Sequence, residues 1–143
     1  MKKIILPYFV FVLFTISISC SKDKQTLINT TWEVESVKVH ADSALTYPLV
    51  WEGWWEGRTI TLSFPKPNKY TFRMEANSFG SKVSIVGNKI NFKPGVTTLK
   101  CCDSPFAESC AYLLVNKITH YKISNGKLIL TGNKGEKIIL VEQ

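Results

Sequence analysis

The sequence predicts a mainly β fold: a small, strongly curved antiparallel sheet or β-barrel-like domain with one covering α-helix. Three observations predict it. From residue 31 onward, apolar and polar residues alternate over short runs, the period of a strand with one buried face. Turn pairs such as Gly87-Asn88 and Asn125-Gly126 separate those runs. Within this region, residues 103–118 break the alternation with helical spacing.

The elements follow in chain order. "TWEVESVKV" (31–39) starts with Trp32 and Val34 on one face, then shifts parity to Val37 and Val39, so a bulge or bend is expected near Ser36. Residues 40–57 form the longest irregular stretch. "RTITLSF" (58–64) places Ile60, Leu62 and Phe64 together. "PKPNK" turns the chain, and "YTFRMEA" (70–76) aligns Tyr70, Phe72, Met74 and Ala76 against Arg73 and Glu75. "KVSIVGNKINF" reads as a hairpin, with Val83 and Ile85 before the turn and Ile90 and Phe92 after it.

"DSPFAESCAYLLVNKI" (103–118) puts Phe106, Cys110, Leu113, Leu114 and Ile118 on one helical face. Ser104 suits the N-cap, Pro105 the first helical position, and Glu108 the positive end of the dipole. "HYKIS" and "KLILTG" flank the Asn125-Gly126 turn; "NKG" turns again, and "EKIILVE" supplies the last strand. About eight short strands suit a barrel, which leaves no open sheet edge.

The start of the chain has a different character. Met1-Lys2-Lys3 is basic, and the run that follows is apolar but short for a membrane span. Ser17-Ile18-Ser19 then leads to Cys20 and the polar "SKDKQT". This border resembles the lipobox of bacterial lipoproteins, in which the cysteine thiol is diacylated and the cysteine becomes the new N-terminus. The lipobox prefers Leu three residues before the cysteine, where this chain has Ser17. Ser21, directly after Cys20, is compatible with outer-membrane sorting, and Lys22-Asp23 resembles the charged export tags of surface-displayed lipoproteins.

The expected organisation is therefore a lipoprotein signal peptide over residues 1–19, a lipidated Cys20 with a polar tether over 20–29, and one domain over 30–143. The expected location is the bacterial cell envelope, lipid-anchored in the outer membrane. Two or more acyl chains hold a protein firmly where one does not.

Loss of Lys2 and Lys3 with the leader lowers the formal charge from +7 to +5. The remaining lysines are scattered along the sequence, which argues against nucleic-acid binding. Cys101, Cys102 and Cys110 would sit in a disulfide-permissive compartment. Three is odd, so one internal pair is expected, with Cys110 joined to Cys101 or Cys102. His40 and His120 lie too far off in sequence to complete a metal site, so no metal and no cofactor is expected.

"NSFGSKVSIVGNKINF" (77–92), "TTLKCC" (97–102), the helix, "HYKISNGKLIL" (120–130) and "GEKIILV" form an ordered set. Together with "TTWEVESV" near the start, this set is similar to the META domain family, to which the heat-inducible lipoprotein HslJ belongs. The resemblance covers roughly residues 28–142. It implies a small β-barrel-like domain with a helix, and a loose link to envelope stress, antibiotic tolerance and, in some parasites, virulence. It implies no common enzymatic reaction. The family's Gly-Cys-Asn segment falls on Glu75-Ala76-Asn77, so its cysteine is absent here, while the cysteine of the family's "TTRMAC" is Cys102. The resemblance thus implies that a family disulfide through the first position is lost and that Cys110 substitutes as a partner.

"WEGWWEGR" (51–58) is the most conspicuous local feature. Trp51, Trp54 and Trp55, rimmed by Glu52, Glu56 and Arg58, suit either a lid over a small barrel or a surface for a partner, a glycan or the membrane interface. Glu52 and Glu56 show neither the cleft nor the separation of a glycosidase pair. Thiol catalysis by Cys110 with His120 would need a close, oriented base, and Cys110 shares the apolar stripe with Phe106 and Leu114, which points to a core or disulfide role. Asn77 reads as a structural amide that bonds nearby backbone.

The function expected is therefore non-enzymatic: an anchored envelope lipoprotein that meets an envelope protein or a glycan, or maintains the envelope. The alternative is a barrel that takes up a small apolar ligand in a cavity lined by Phe72, Met74, Phe92 and some of the tryptophans. A hydrolase ranks third.

Overall fold

Each alternating strand carries one apolar face, and the chain hides these faces by wrapping them around one another. The computed structural model describes residues 26–40, 43–45, 58–100 and 102–143. In chain order its elements are β1 (Thr31–His40), β2 (Ser43–Leu45), β3 (Thr61–Lys66), β4 (Lys69–Arg73), β5 (Ser78–Val86), β6 (Lys89–Phe92), β7 (Val96–Thr97), α1 (Pro105–Asn116), β8 (Ile118–Ser124), β9 (Lys127–Gly132) and β10 (Lys137–Glu142).

Antiparallel pairing runs β1-β3-β4-β5-β6-β8-β9-β10, and β10 returns to β1. The eight strands close a barrel, as the alternation predicts. β2 lies beside β1, and β7 pairs with β5. The β1–β10 register shifts between Val34 and Ser36, the bulge expected from the parity change. It lets Trp32, Val34 and Val37 all face the core.

Some boundaries differ from the pattern. β4 stops at Arg73 because Met74 N–H donates to Asn77 O (2.8 Å) and turns the chain, although Met74 stays buried. β5 begins at Ser78, ahead of its alternating run, because residues 78–82 pair with β4. β2 and β7 are too short to show a period. β7 reaches β5 by a close approach: a methyl on Gly95 would collide with Gly80 O. Ile118 is buried as expected but opens β8 rather than extending the helix.

Side chains fill the barrel. Trp32, Leu62, Phe64, Tyr70, Phe72 and Phe92 are almost wholly buried. Tyr70 stands edge-on to Phe92, with ring centroids 5.0 Å apart and planes at 83°. Its hydroxyl donates to Lys93 O at 2.6 Å, which gives the buried phenol a partner.

The two ends of the barrel differ. The chain enters at one end, where Leu27 is buried, Asn29 N–H donates to Phe64 O (2.8 Å) and Phe64 N–H donates to Thr30 O (3.0 Å). Gln143 N–H bonds Thr31 O at this same end. At the other end α1 packs on the last residues of β1, beside Val39, and on β6 and β8. Ser104 caps α1 by accepting from Ala107 N–H at 3.1 Å, Pro105 occupies the first turn with Glu108, and Phe106, Cys110, Leu113 and Leu114 face inward.

That inward stripe corrects the disulfide expectation. Cys110 is a buried free thiol, so it pairs with neither Cys101 nor Cys102; the helix turns it into the core among apolar neighbours. Cys102 is exposed and disulfide-bonded, and Cys101 lies outside the described residues.

Burial pushes the Tyr70 phenol from its ordinary 10.0 up to about 12. Between these values the unfolded chain releases a proton that the folded chain keeps. The contribution is therefore fully present below pH 10.0 and is lost as pH rises through about 12. Denaturant titrations across that window should show the parent losing stability more steeply than Tyr70→Phe. At neutral pH the variant should cost about 1 kcal/mol for the missing hydrogen bond.

Candidate functional site

At the helix end, two stretches of irregular backbone hold each other. One is the β4–β5 link, residues 74–77; the other comprises residues 98–100 and 102–104, ahead of α1. Asn77 supplies both halves of its amide to the second stretch. Its Nδ2 donates to Lys100 O (2.9 Å) and to Asp103 Oδ2 (2.6 Å). Its Oδ1 accepts from Lys100 N–H (2.7 Å) and from Thr98 Oγ1 (3.2 Å). Asp103 answers with Oδ1, which accepts from Ala76 N–H (2.7 Å) and Asn77 N–H (3.1 Å).

Glu75 completes the clasp. Its carboxylate accepts from Ser104 Oγ (2.5 Å) and Ser104 N–H (3.4 Å), at the positive end of α1. Both carboxylates are thus occupied by the scaffold. Below Glu75 on the helix, burial first and the Glu75 charge second push the Cys110 thiol up, so it stays protonated.

A cleft of about 750 Å³ opens over this clasp. Arg58, Arg73 and Lys100 line it, together with Thr59, Glu75 and Ser78. Arg58 Nη1 donates to Glu75 O at 3.1 Å, which fixes that guanidinium across the mouth. Among the described residues, the charged ends of Arg73 and Lys100 have no hydrogen-bond or ion-pair partner. The groups left free to meet a ligand are cations and hydroxyls. Such a surface suits carboxylates, phosphates or sugar hydroxyls.

The chemistry of bond cleavage finds less support. Ser104 lies against a carboxylate, but it is fully buried and its oxygen caps α1. His120 Nδ1 shares a hydrogen bond with Thr119 Oγ1 (2.9 Å). Among the described residues, no three His, Cys, Asp or Glu side chains converge as metal ligands, and no helix is long and apolar enough to cross a membrane.

Of the residues expected from sequence to form a binding surface, Arg58 lines this cleft. Trp51, Trp54 and Trp55 lie outside the described residues, as does Cys20. Arg73 and Lys100 were not anticipated. Arg73 reads as an ordinary outward strand residue, and only the return of residues 98–104 brings Lys100 beside it. The available signal was Asn77, an amide that opens the stretch 77–92 and ends Glu75-Ala76-Asn77.

A family model for the META domain matches residues 25–143. The chain belongs to the META domain family. Among solved structures it is similar to a protein from Burkholderia xenovorans determined by NMR, with a TM-score of 0.60 and 19% identity over 82% of this chain and 83% of that one. It is also similar to a crystal structure of a DUF4847 family protein from Bacteroides vulgatus, with a TM-score of 0.52 and 11% identity over 78% and 90% of the two chains. These likenesses concern the fold. Among curated proteins no match is found.

In this META domain the clasp joins two segments that lie far apart in sequence. Ala76 N–H bonds Asp103, the residue after Cys102. A carboxylate thus joins the β4–β5 link to the segment before α1. Asn77→Ala would leave Lys100 N–H without its acceptor and remove a donor from Asp103. It should lower stability by about 2 kcal/mol in denaturant titration. Hydrogen exchange should show residues 98–103 opening before the barrel strands do. Equal protection of that segment in parent and variant would show that the clasp does not hold it.

Proposed function

We propose that this META domain is a non-enzymatic, HslJ-like envelope lipoprotein, anchored through acyl chains on Cys20, that offers its cationic cleft to an envelope protein or a glycan. The observation that carries the reading is the filled barrel. Phe72, Met74 and Phe92, the residues that would line an apolar ligand cavity, pack instead into the core with Trp32, Phe64 and Tyr70. What the domain has to offer a partner is therefore its surface.

The geometry supports tethered presentation. The chain enters the barrel at the end remote from α1, whereas Arg58, Arg73 and Lys100 gather at the helix end. A short polar linker after Cys20 leaves the cleft facing away from the anchor. Anchoring keeps the domain at high effective concentration against partners in the same envelope.

Membrane fractionation of cells that express the full chain tests the anchor. The parent should stay with the membranes, and mass spectrometry should find acyl groups on Cys20. Cys20→Ser should leave the membrane fraction or remain uncleaved. A Cys20→Ser chain that is cleaved and retained like the parent contradicts the reading.

A further inference from the structure

Four lysines form a row across the outer wall of the barrel. Lys66 in β3 pairs with Lys69 in β4, and Lys69 pairs with Lys82 in β5. Lys93 N–H donates to Lys82 O at 2.9 Å, which sets Lys93 next in line. All four are exposed. Facing residues on neighbouring antiparallel strands lie about 5 Å apart, so the row spreads four positive charges over roughly 15 Å. The sequence hides this row, because its members are separated by turns and strands.

Like charges placed directly opposite one another repel. Among the described residues, none of the four ammonium groups has an ion-pair or hydrogen-bond partner. Lys127, by contrast, is matched to Glu35 at 2.6 Å. A row of this kind is stabilised by negative charge supplied from outside the domain.

Position identifies the source of that charge. Phe64, which receives the hydrogen bond from Asn29, lies two residues before Lys66. The polypeptide therefore enters the barrel close to Lys66, the first lysine of the row. Leu27 is already buried in the core, seven residues after Cys20. Seven extended residues reach at most about 25 Å. A folded domain of this length is roughly 30 Å or more across. A lipid at Cys20 would therefore hold the entry end near the bilayer, with Lys66 beside it and the other three lysines following across the adjoining wall.

We propose that Lys66, Lys69, Lys82 and Lys93 form a docking face for the anionic headgroups of the bilayer that holds the protein. The inference rests on the reading that Cys20 carries the anchor and adds what that reading lacks, an orientation. Basic residues close to an anionic membrane are drawn to its phosphates, and a basic patch reinforces acyl attachment. With the row on the headgroups, the cleft of Arg58, Arg73 and Lys100 points away from the membrane.

Lysine footprinting of the full chain tests this. Protein recovered from cells is reconstituted into vesicles of phosphatidylglycerol or of phosphatidylcholine, treated with an amine-reactive reagent and read by mass spectrometry. The four row lysines should react several-fold less on phosphatidylglycerol than on phosphatidylcholine, and high salt should abolish the difference. Lys117, Lys134 and Lys137, at the helix end, should react equally on both. Equal reactivity of the row on the two lipids overturns the proposal. So does protection by a soluble polyanion such as heparin with none on phosphatidylglycerol. The same spectra report Cys20: a protected row with unmodified Cys20 keeps the docking face and removes the anchor, whereas acylated Cys20 with a reactive row does the reverse.

Discussion

The pairing of the first strand with the last is the constraint on which the structure depends. β1 and β10 meet from Trp32–Glu142 to Lys38–Lys137, across the bulge at Val34 and Ser36. Without that seam the remaining strands would form an open curved sheet with two unpaired edges and an exposed apolar face. With it, Trp32, Leu62, Leu130 and Leu140 close into one core. The opposite seam is far slighter. β6 and β8 share the single pair Lys89–His120, supported by the bond from Tyr121 N–H to Asn88 O at 2.9 Å. There α1 packs on both strands and supplies Phe106, Leu113 and Leu114 to the core. The helix substitutes for pairing that the strands do not make.

Closure of the barrel also decides what is left for function. A core filled by aromatic and aliphatic side chains leaves the wall and the two ends. At the helix end, the clasp of Asn77, Asp103, Glu75 and Ser104 engages the oxygens of two carboxylates in holding backbone and helix, while among the described residues the charged ends of Arg73 and Lys100 stay without a hydrogen-bond or ion-pair partner at the cleft. One polar network thus does two things. It fastens an irregular segment to the β4–β5 link, and it leaves the cations at the cleft as the groups free to meet a ligand.

The strands, the bulge, the helix cap and most core residues were legible because each rests on local spacing. Ile60, Leu62 and Phe64, or Ser104 before Pro105, carry their meaning within a few residues. What was not legible depends on chain segments far apart in sequence. Cys110 was expected to pair, yet its place on the helix face buries it as a free thiol. Lysines that look scattered along the chain line up only once β3, β4 and β5 take their register. Asp103 bonds Ala76 across 27 residues, which no short pattern announces.

Native-state hydrogen exchange of the β1 and β10 amides tests the closed barrel most directly. If the first and last strands complete one cooperative core, the amides joining Trp32–Val34 to Leu140–Glu142 should exchange only through global unfolding. Their free energy and denaturant dependence should match those of the β8–β9 ladder. Exchange of β10 at a clearly lower free energy, with β8 and β9 still protected, would mean that the last strand frays from an open sheet and would contradict the account.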